Sequence, residues 1–249
     1  MCSGRKTRGG CPEAGLVFSG VPGGVMEKFE TIFARAAKRH GGAKAVEAEL
    51  PKPKNAAALR KIGDDRWLSA MTKSVFQAGF VWKMIENKWP GFEEAFDHFD
   101  PHRIAFYADE DIERLAGDAR IVRNGAKIVA TRNNARFVCD LANEHGSAGA
   151  FFAASKPEDF AGLLDTLKKR GDRLSGASAQ FFLRQMGVDG WVMSPSVVAA
   201  LVKAGVIDKA PTSAKAMRAV QEAFNVWRKE SGRPLMAISR VLALSADPD

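Results

Sequence analysis

The chain has 249 residues, of which 46% are hydrophobic and 27% are charged, a composition typical of a globular protein with one good core. No apolar run approaches the roughly 18 to 20 residues that span a bilayer, which argues against a membrane protein. The net charge of +8 favours an acidic partner, and nucleic acid comes first among these.

The first 25 residues differ in pattern from the rest of the chain. They are rich in glycine, proline and small residues, so we predict a disordered tail or an over-extended start over residues 1–25. Helical spacing begins at Met26, and the first apolar face comprises Phe29, Ile32, Phe33 and Ala36. Helix then follows helix without a convincing alternating strand. We therefore predict an all-α fold with one helical domain over residues 26–249.

Capping and breaking residues divide this domain into helices. Pro51–Lys54 is predicted to be a linker, and Asp64 or Asp65 is predicted to cap the helix that carries Trp67. The stretch Trp89–Gly91 is predicted to break the chain before a short aromatic helix. Further predicted boundaries are N-caps at Asp109, at Ser194-Pro195 and at Thr212 or Ser213, and stops at Gly205 and at Gly232–Pro234.

Cysteine and histidine usage points to a reduced protein without a metal. The cysteines are Cys2, Cys11 and Cys139, with no C-x-x-C pair, and none of the four histidines pairs with a cysteine at zinc-finger spacing. We predict a cytoplasmic monomer that needs no cofactor.

Residues 168–179, KKRGDRLSGASA, are the most informative stretch. Apolar helical runs enter and leave a turn that holds four cations and two glycines five residues apart. A hairpin of this kind exposes backbone N–H groups at the start of its second helix, where they can bind phosphate, while the cations attract a nucleic-acid backbone. Alone, the pattern is more typical of a solvated helix connection than of a DNA-binding site. The predicted DNA-binding residues are Lys168, Lys169, Arg170, Gly171, Arg173, Gly176 and Ser178.

Several short blocks in register resemble the DNA-3-methyladenine glycosylase I family of base-excision repair enzymes. The resemblance covers about residues 64–190. Its blocks are Phe76–Trp82 (the family's Q-A-G-L-S-W), Phe99–Pro101 (F-D-P), Asp111–Leu115 with Arg120–Ile128 (D-V-E-R-L and I-I-R-x-x-x-K-I), Asn134–Arg136 (N-A-R) and Leu167–Gly171 (L-K-K-R-G).

The resemblance implies a helical fold of the helix–hairpin–helix DNA glycosylase superfamily. Such an enzyme binds duplex DNA containing alkylated bases, flips the damaged base out of the helix and hydrolyses its N-glycosidic bond. Trp82 falls on the family's base-stacking tryptophan, and an indole face attracts the cationic base N3-methyladenine. We extend the predicted base pocket to Phe76, Gln77 and Trp67. The alternative is that these aromatic residues belong to the core.

The sequence also departs from the family. Ser74 stands where the family's pocket carries a glutamate, and the cysteines and histidines of the family's zinc clasp are missing from the C-terminal region. A C-terminal helix with Phe224 and Trp227 is predicted to close the fold instead. No lysine follows the hairpin glycine, so the resemblance implies a monofunctional enzyme without lyase activity.

The catalytic residues are the least defined part of the prediction. The nearest acid to the superfamily's usual aspartate is Asp189, and Ser196 and Ser74 are candidates for holding a water or the base edge. The alternative for Asp189 is an ordinary loop residue, and the alternative for Ser196 is a residue in the first turn of a helix. The alternative for Ser74 is a small residue on a packed helix. A cationic leaving base needs little acid or base assistance, so activity can survive these departures.

Two other functions fit the same sequence. One is a catalytically silent relative that binds DNA or lesions through the hairpin, and the other is a basic helical scaffold with no role on DNA.

Overall fold

The computed structural model of this protein describes residues 26–246. Over that range it forms fourteen α-helices and two short 3₁₀ turns, with no strand, which confirms the all-α prediction. The predicted tail, with Cys2 and Cys11, lies outside the described residues. Within the described range, no helix combines the length and the apolar character needed to cross a bilayer.

The helices follow one another along the chain with short connections. In chain order they are α1 (Phe29–Arg39), α2 (Ala43–Ala48), α3 (Ala56–Arg60), α4 (Asp64–Gln77), α5 (Trp82–Ala95), α6 (Pro101–Ile104), α7 (Asp109–Gly117), α8 (Gly125–His145), α9 (Ala148–Ala154), α10 (Phe160–Arg170), α11 (Gly176–Met186), α12 (Pro195–Lys203), α13 (Ala214–Ser231) and α14 (Leu235–Ser245). The 3₁₀ turns are Asp97–Phe99 and Pro157–Asp159.

The long helix α8 lies at the centre of the helical packing. It packs against α4, α6, α7 and α9, and α4 packs in turn against α11. One hydrophobic cluster runs through these helices, from Phe29 in α1 to Leu244 in α14. The candidate site residues on α4, α5, α10 and α11 therefore lie on elements that share one core.

The predicted cap at the start of α4 is wrong. Asp64 is the first helical residue after Gly63, and no side chain caps α4. The Asp64 carboxylate accepts instead a hydrogen bond from the N–H of Ala148, the first residue of α9, over 2.8 Å. It thereby satisfies one of the unpaired N–H groups of a neighbouring helix. Only the tertiary packing brings that neighbour within reach.

The predicted break at Trp89–Gly91 is also wrong, because α5 continues through Pro90. Aromatic stacking on both sides of the proline holds the helix together: the Trp89 ring lies 5.0 Å from Phe92 and 5.5 Å from Phe99. A side chain at Gly91 would come within 2.8 Å of the Arg120 carbonyl oxygen, so the glycine serves close packing.

The predicted N-cap at Asp109 is wrong as well: Asp109 is the first residue of α7, and the Asp111 carboxylate accepts the Ala108 N–H over 3.1 Å. The predicted boundaries at Ser194-Pro195, at Ser213 and at Gly232 are confirmed. The Ser194 and Ser213 side chains cap α12 and α13, with Pro195 in the first turn of α12, and Gly232 ends α13 in the left-handed region at φ +68°. The stop at Gly232–Pro234 is followed by α14, a helix that has no counterpart among the predicted elements.

The first and last helices close on each other. The Trp227 indole on α13 donates a 2.9 Å hydrogen bond to the Glu27 carbonyl, and Glu230 accepts one of 2.9 Å from the N–H of Phe29. Phe224 and Trp227 are fully buried, with ring centroids 5.8 Å apart. The helix predicted to close the fold, which carries Phe224 and Trp227, is α13, and it makes these contacts with the N-terminal segment.

Candidate functional site

The predicted hairpin is present as α10 and α11. They are joined by residues 171–175, which we call the hairpin turn, with Leu174 buried beneath it. No side chain of the described residues caps the first turn of α11. Since the first N–H groups of a helix have no partner within it, those of α11 are available to an anion.

The four hairpin cations are not equivalent. Lys169 pairs with Asp165 over 2.6 Å, and Arg170 forms two hydrogen bonds of 2.8 and 2.7 Å with the Glu144 carboxylate. Lys168 and Arg173 are exposed, and neither forms an ion pair with any described residue. The uncompensated positive charge of the hairpin is therefore concentrated at these two side chains.

The second helix of the hairpin contacts the junction of α4 and α5. The Trp82 ring meets Phe181 edge-on, with centroids 5.0 Å apart and an angle of 90° between the planes. The Gln185 amide donates to the Gln77 side-chain oxygen over 3.4 Å. We call these four residues the aromatic corner. It brings the predicted stacking tryptophan beside the predicted DNA-binding helix.

The Trp82 side of the corner faces solvent, whereas Gln77 is only 3% exposed. Trp82 is 42% exposed, and its neighbours Val81 and Met84 are 71% and 38% exposed. Residues 78–81, which we call the pocket turn, lead into Trp82 and contain Gly79 at φ +78°. Exposed large apolar side chains grouped in this way are typical of a surface that binds a partner.

Phe76 and Trp67, two of the predicted pocket residues, lie in the core. Both are fully buried: Phe76 packs edge-on against Phe92 at 4.8 Å, and Trp67 stacks on Phe152 at 4.3 Å. The helical period turns both inward from α4, so they support the site from behind and do not line it. This corrects their assignment to the base pocket and favours the core alternative.

Asp189 lies in the loop after α11 and is bonded to the start of α14. Its carboxylate accepts the N–H of Met236 over 2.9 Å at the start of α14. Burial raises the pKa of Asp189, and the N–H groups of Met236 and Leu235 partly oppose that shift. The loop that carries Asp189 is tied to α11, because the Arg184 guanidinium donates to the Gly190 carbonyl over 3.2 Å.

The two predicted catalytic serines are in structural positions. Ser74 is 3% exposed, and its hydroxyl donates a 2.7 Å hydrogen bond to the Ser178 carbonyl, which ties α4 to α11. Ser196 is the second residue of α12, after the Ser194 cap. In the described range, no group of three or more potential ligands could hold a metal ion.

Comparison with known proteins identifies the family. Residues 59–205, more than half of the chain, match the sequence model of the family Methyladenine glycosylase. The chain belongs to the methyladenine glycosylase family. The match confirms the family resemblance seen in the sequence blocks, and it contains the aromatic corner, α8 and the hairpin.

Individual relatives match this methyladenine glycosylase family member less extensively. DNA-3-methyladenine glycosylase 1 of Escherichia coli K12 is 42% identical over 60 residues, which are 24% of this chain and 32% of that protein. The aligned segment thus spans about a third of the curated relative.

Solved structures are similar over longer stretches. A 3-methyladenine DNA glycosylase I is 25% identical and covers 57% of this chain and 85% of its own, with a TM-score of 0.46. The Staphylococcus aureus 3-methyladenine DNA glycosylase I is 23% identical and covers 56% of this chain and 80% of its own, with a TM-score of 0.47. The Methanocaldococcus jannaschii 8-oxoguanine glycosylase/lyase, solved with DNA, is 12% identical and covers 85% of this chain and 95% of its own, with a TM-score of 0.47.

Sequence reasoning missed several residues at the site of this family member. Phe181 and Gln185 stand one helical turn apart on α11, directly after the hairpin, and that spacing could have marked a face turned toward the pocket. Lys127, inside the I-I-R-x-x-x-K-I block, bonds the end of α4. Two surface cavities of about 440 and 460 Å³ lie elsewhere, beside α1 and at the start of α13.

Proposed function

We propose that this protein is a monofunctional DNA glycosylase. In this proposal it binds duplex DNA through the hairpin, flips an alkylated purine out of the helix and hydrolyses its N-glycosidic bond, with N3-methyladenine as the first substrate. The contact between the exposed Trp82 and α11 supports this most strongly, since a base stacked on Trp82 would lie beside the helix whose N-terminus meets the DNA backbone.

The chemistry asks little of the protein. N3-methyladenine in DNA carries a positive charge, so the electron pair of the bond to C1′ leaves with the base and neutralises it. Water adds to C1′ and releases a proton. The Trp82 face attracts the cationic base and holds the flipped nucleotide in the site, an attraction worth roughly 0.5 to 2 kcal/mol that weakens as the departing base becomes neutral.

The other candidate catalytic residues are occupied by structural hydrogen bonds, which agrees with a reaction that needs little acid or base assistance. The Ser74 hydroxyl and the Asp189 carboxylate are both engaged in bonds between helices. We therefore propose a narrow substrate range, because neutral bases leave only with acid or base assistance. Lys127 donates to two carbonyl oxygens, and we propose no Schiff-base role for it.

The test is release of free base from methylated duplex DNA. We expect 3-methyladenine to appear without strand cleavage, and no release from a duplex that contains hypoxanthine. Trp82→Ala should slow single-turnover release about 100-fold, and Trp82→Phe less, because phenylalanine keeps an aromatic face.

Asn87→Ala is the matched control, since Asn87 is exposed on the same helix but lies outside the exposed apolar group. It should leave the rate unchanged. Undiminished release by a folded Trp82→Ala protein would remove Trp82 from the proposal.

A second candidate is a DNA-binding relative without activity. It is favoured by the serine at the position of the family's pocket glutamate and by the engagement of its hydroxyl with Ser178. This candidate predicts salt-dependent binding of duplex DNA with no base released from methylated substrate. The same assay, run with an anisotropy measurement of binding, separates the two.

A further inference from the structure

Lys127 is an almost fully buried lysine at the edge of the proposed site. It is 7% exposed, and its ammonium donates hydrogen bonds of 3.2 Å to the Phe76 carbonyl and 2.5 Å to the Ala78 carbonyl. It also lies 4.5 Å from the centre of the Phe80 ring. A cation at the C-terminus of a helix is favourable, so Lys127 both ends α4 and holds the pocket turn.

Seven residues further along α8, Asn134 does the same for the hairpin turn. Its side chain accepts the N–H of Asp172 over 2.8 Å and donates to the Asp172 carbonyl over 3.0 Å, a two-point pairing with the backbone. Asn133 adds a 2.8 Å bond to the Asp172 carboxylate. The next residue, Arg173, has φ +58°, an unfavourable backbone conformation that persists because the turn beside it is held.

Lys127 and Asn134 lie on one face of α8. Seven residues are about two helical turns, or roughly 10 Å along the axis, with a rotation of only about 20°. Between them, the Thr131 hydroxyl bonds the Lys127 carbonyl within the helix, over 3.1 Å. Burial lowers the pKa of Lys127, and so does the positive charge of Arg173, which places the two turns within electrostatic range.

We infer that Lys127 and Asn134 are positioning residues that set the separation between the pocket turn and the hairpin turn. The inference rests on the proposed function. The hairpin would grip the backbone while Trp82 receives a base from the same strand, so the distance between them must match the extruded nucleotide. One rigid helix face fixes that distance. This gives a physical role to the I-I-R-x-x-x-K-I and N-A-R blocks.

The activity test uses substitutions that remove each anchor while keeping its size. Lys127→Met and Asn134→Leu should each lower single-turnover base release at saturating protein about tenfold or more, since misplacement alone can cost up to about 100-fold. The dissociation constant for unmodified duplex should change less than about threefold. Lys127→Arg, which keeps a charged donor, should recover most of the rate.

Thr131→Val is the matched control. Thr131 is buried on the same face, between the two anchors, and bonds neither turn. Its rate should equal that of the unchanged protein. An equal loss in Thr131→Val, or full rates in Lys127→Met and Asn134→Leu, would overturn the inference. If Asn134→Leu does not fold, Asn134→Asp replaces it, because aspartate keeps the shape and the acceptor for the Asp172 N–H, while its second oxygen replaces the donor to the Asp172 carbonyl with a negative charge.

A second readout does not need catalysis. The protein is labelled with 5-fluorotryptophan, its five resonances are recorded, and that of Trp82 is assigned with Trp82→Phe. Duplex DNA with a tetrahydrofuran abasic-site analogue should shift the Trp82 resonance. In Lys127→Met and Asn134→Leu the DNA should still bind while this shift is reduced.

The two readouts distinguish the failure of each proposal. One outcome is that the unchanged protein releases no base, yet DNA shifts its Trp82 resonance and this shift is reduced in Lys127→Met and Asn134→Leu. The proposed reaction is then wrong and the positioning role stands. If base is released but the response is intact in every variant, the proposed reaction stands and the positioning role is wrong.

Discussion

At the scale of single residues, Asp189 shows how a carboxylate can be claimed by two roles. Its position after the hairpin suggests catalysis, yet its oxygen accepts the N–H of Met236 and so caps α14. The first N–H groups of a helix lack partners, and an acceptor there is worth about 1 kcal/mol. The cap alone accounts for an acid at this position.

Asp189→Asn separates the two roles, because the asparagine oxygen can still accept the same N–H. We expect base release to stay within about threefold of the unchanged protein, as for a cap. A loss of about 100-fold in a variant with unchanged thermal stability would establish a catalytic carboxylate.

The raised pKa of Asp189 adds a prediction about stability. Above about pH 3.9 the Asp189 carboxyl loses its proton in the unfolded state, while the folded state still holds it. The contribution of Asp189 to the free energy of unfolding is therefore fully present below that pH. The contribution is lost as pH rises through the folded-state pKa. The free energy of unfolding of the unchanged protein, relative to Asp189→Asn, should therefore fall as the pH rises above about 3.9. Chemical denaturation across this range measures it, with the exposed Asp208→Asn as control.

At the scale of elements, the hairpin presents two kinds of cation, and their pairing predicts which of them bind phosphate. Lys168 and Arg173 make no ion pair with the described residues, while Lys169 and Arg170 pair with Asp165 and Glu144. An unpaired cation meets a phosphate without first giving up a carboxylate.

Two double variants with the same change in charge test this. Lys168→Gln with Arg173→Gln should reduce the slope of log affinity against log salt concentration by about 2, since each phosphate contact contributes about 0.9. Lys169→Gln with Arg170→Gln should reduce it less. Anisotropy titrations with unmodified duplex at several salt concentrations give the slopes. Equal reductions would mean that the ion pairs open on binding.

At the scale of the whole molecule, the two ends of the described chain close on each other through α1, α13 and α14. The closing contacts are the Trp227 hydrogen bond to Glu27 and ion pairs between Arg233 and Glu47 and between Arg240 and Glu49. The matched family segment, residues 59–205, contains none of these residues. These contacts lie outside the segment that matches the family.

Trp227→Phe tests the closure. It removes a buried hydrogen bond and part of a buried ring, so we expect a loss of about 1 to 3 kcal/mol in the free energy of unfolding. Base release measured well below the melting temperature should be unaffected. A chelator such as EDTA should leave the melting temperature of the unchanged protein where it is. A chelator-dependent drop would show that a metal contributes to closure.

Helix capping and breaking show where sequence reasoning holds. Ser194 and Ser213 were predictable as caps because a cap bonds its own helix within three residues. Asp64 was not, since it bonds a helix more than eighty residues away. Pro90 was not, since α5 continues through it where Trp89 stacks on Phe92 and Phe99, a contact that rules for helix breakers do not include.

The sequence by itself determined the helical class, the family and the hairpin, because periodicity, ordered motif blocks and a glycine-punctuated basic turn are local properties. The tertiary structure decided which candidates share a surface. Phe76 and Trp67 are buried in the core, whereas Trp82 is exposed and contacts Phe181. The Asp189 carboxylate is bonded to the start of α14. The tertiary structure also showed Lys127 and Asn134 on one face of α8. Which side chains meet depends on how helices distant in sequence pack, and no local pattern encodes that.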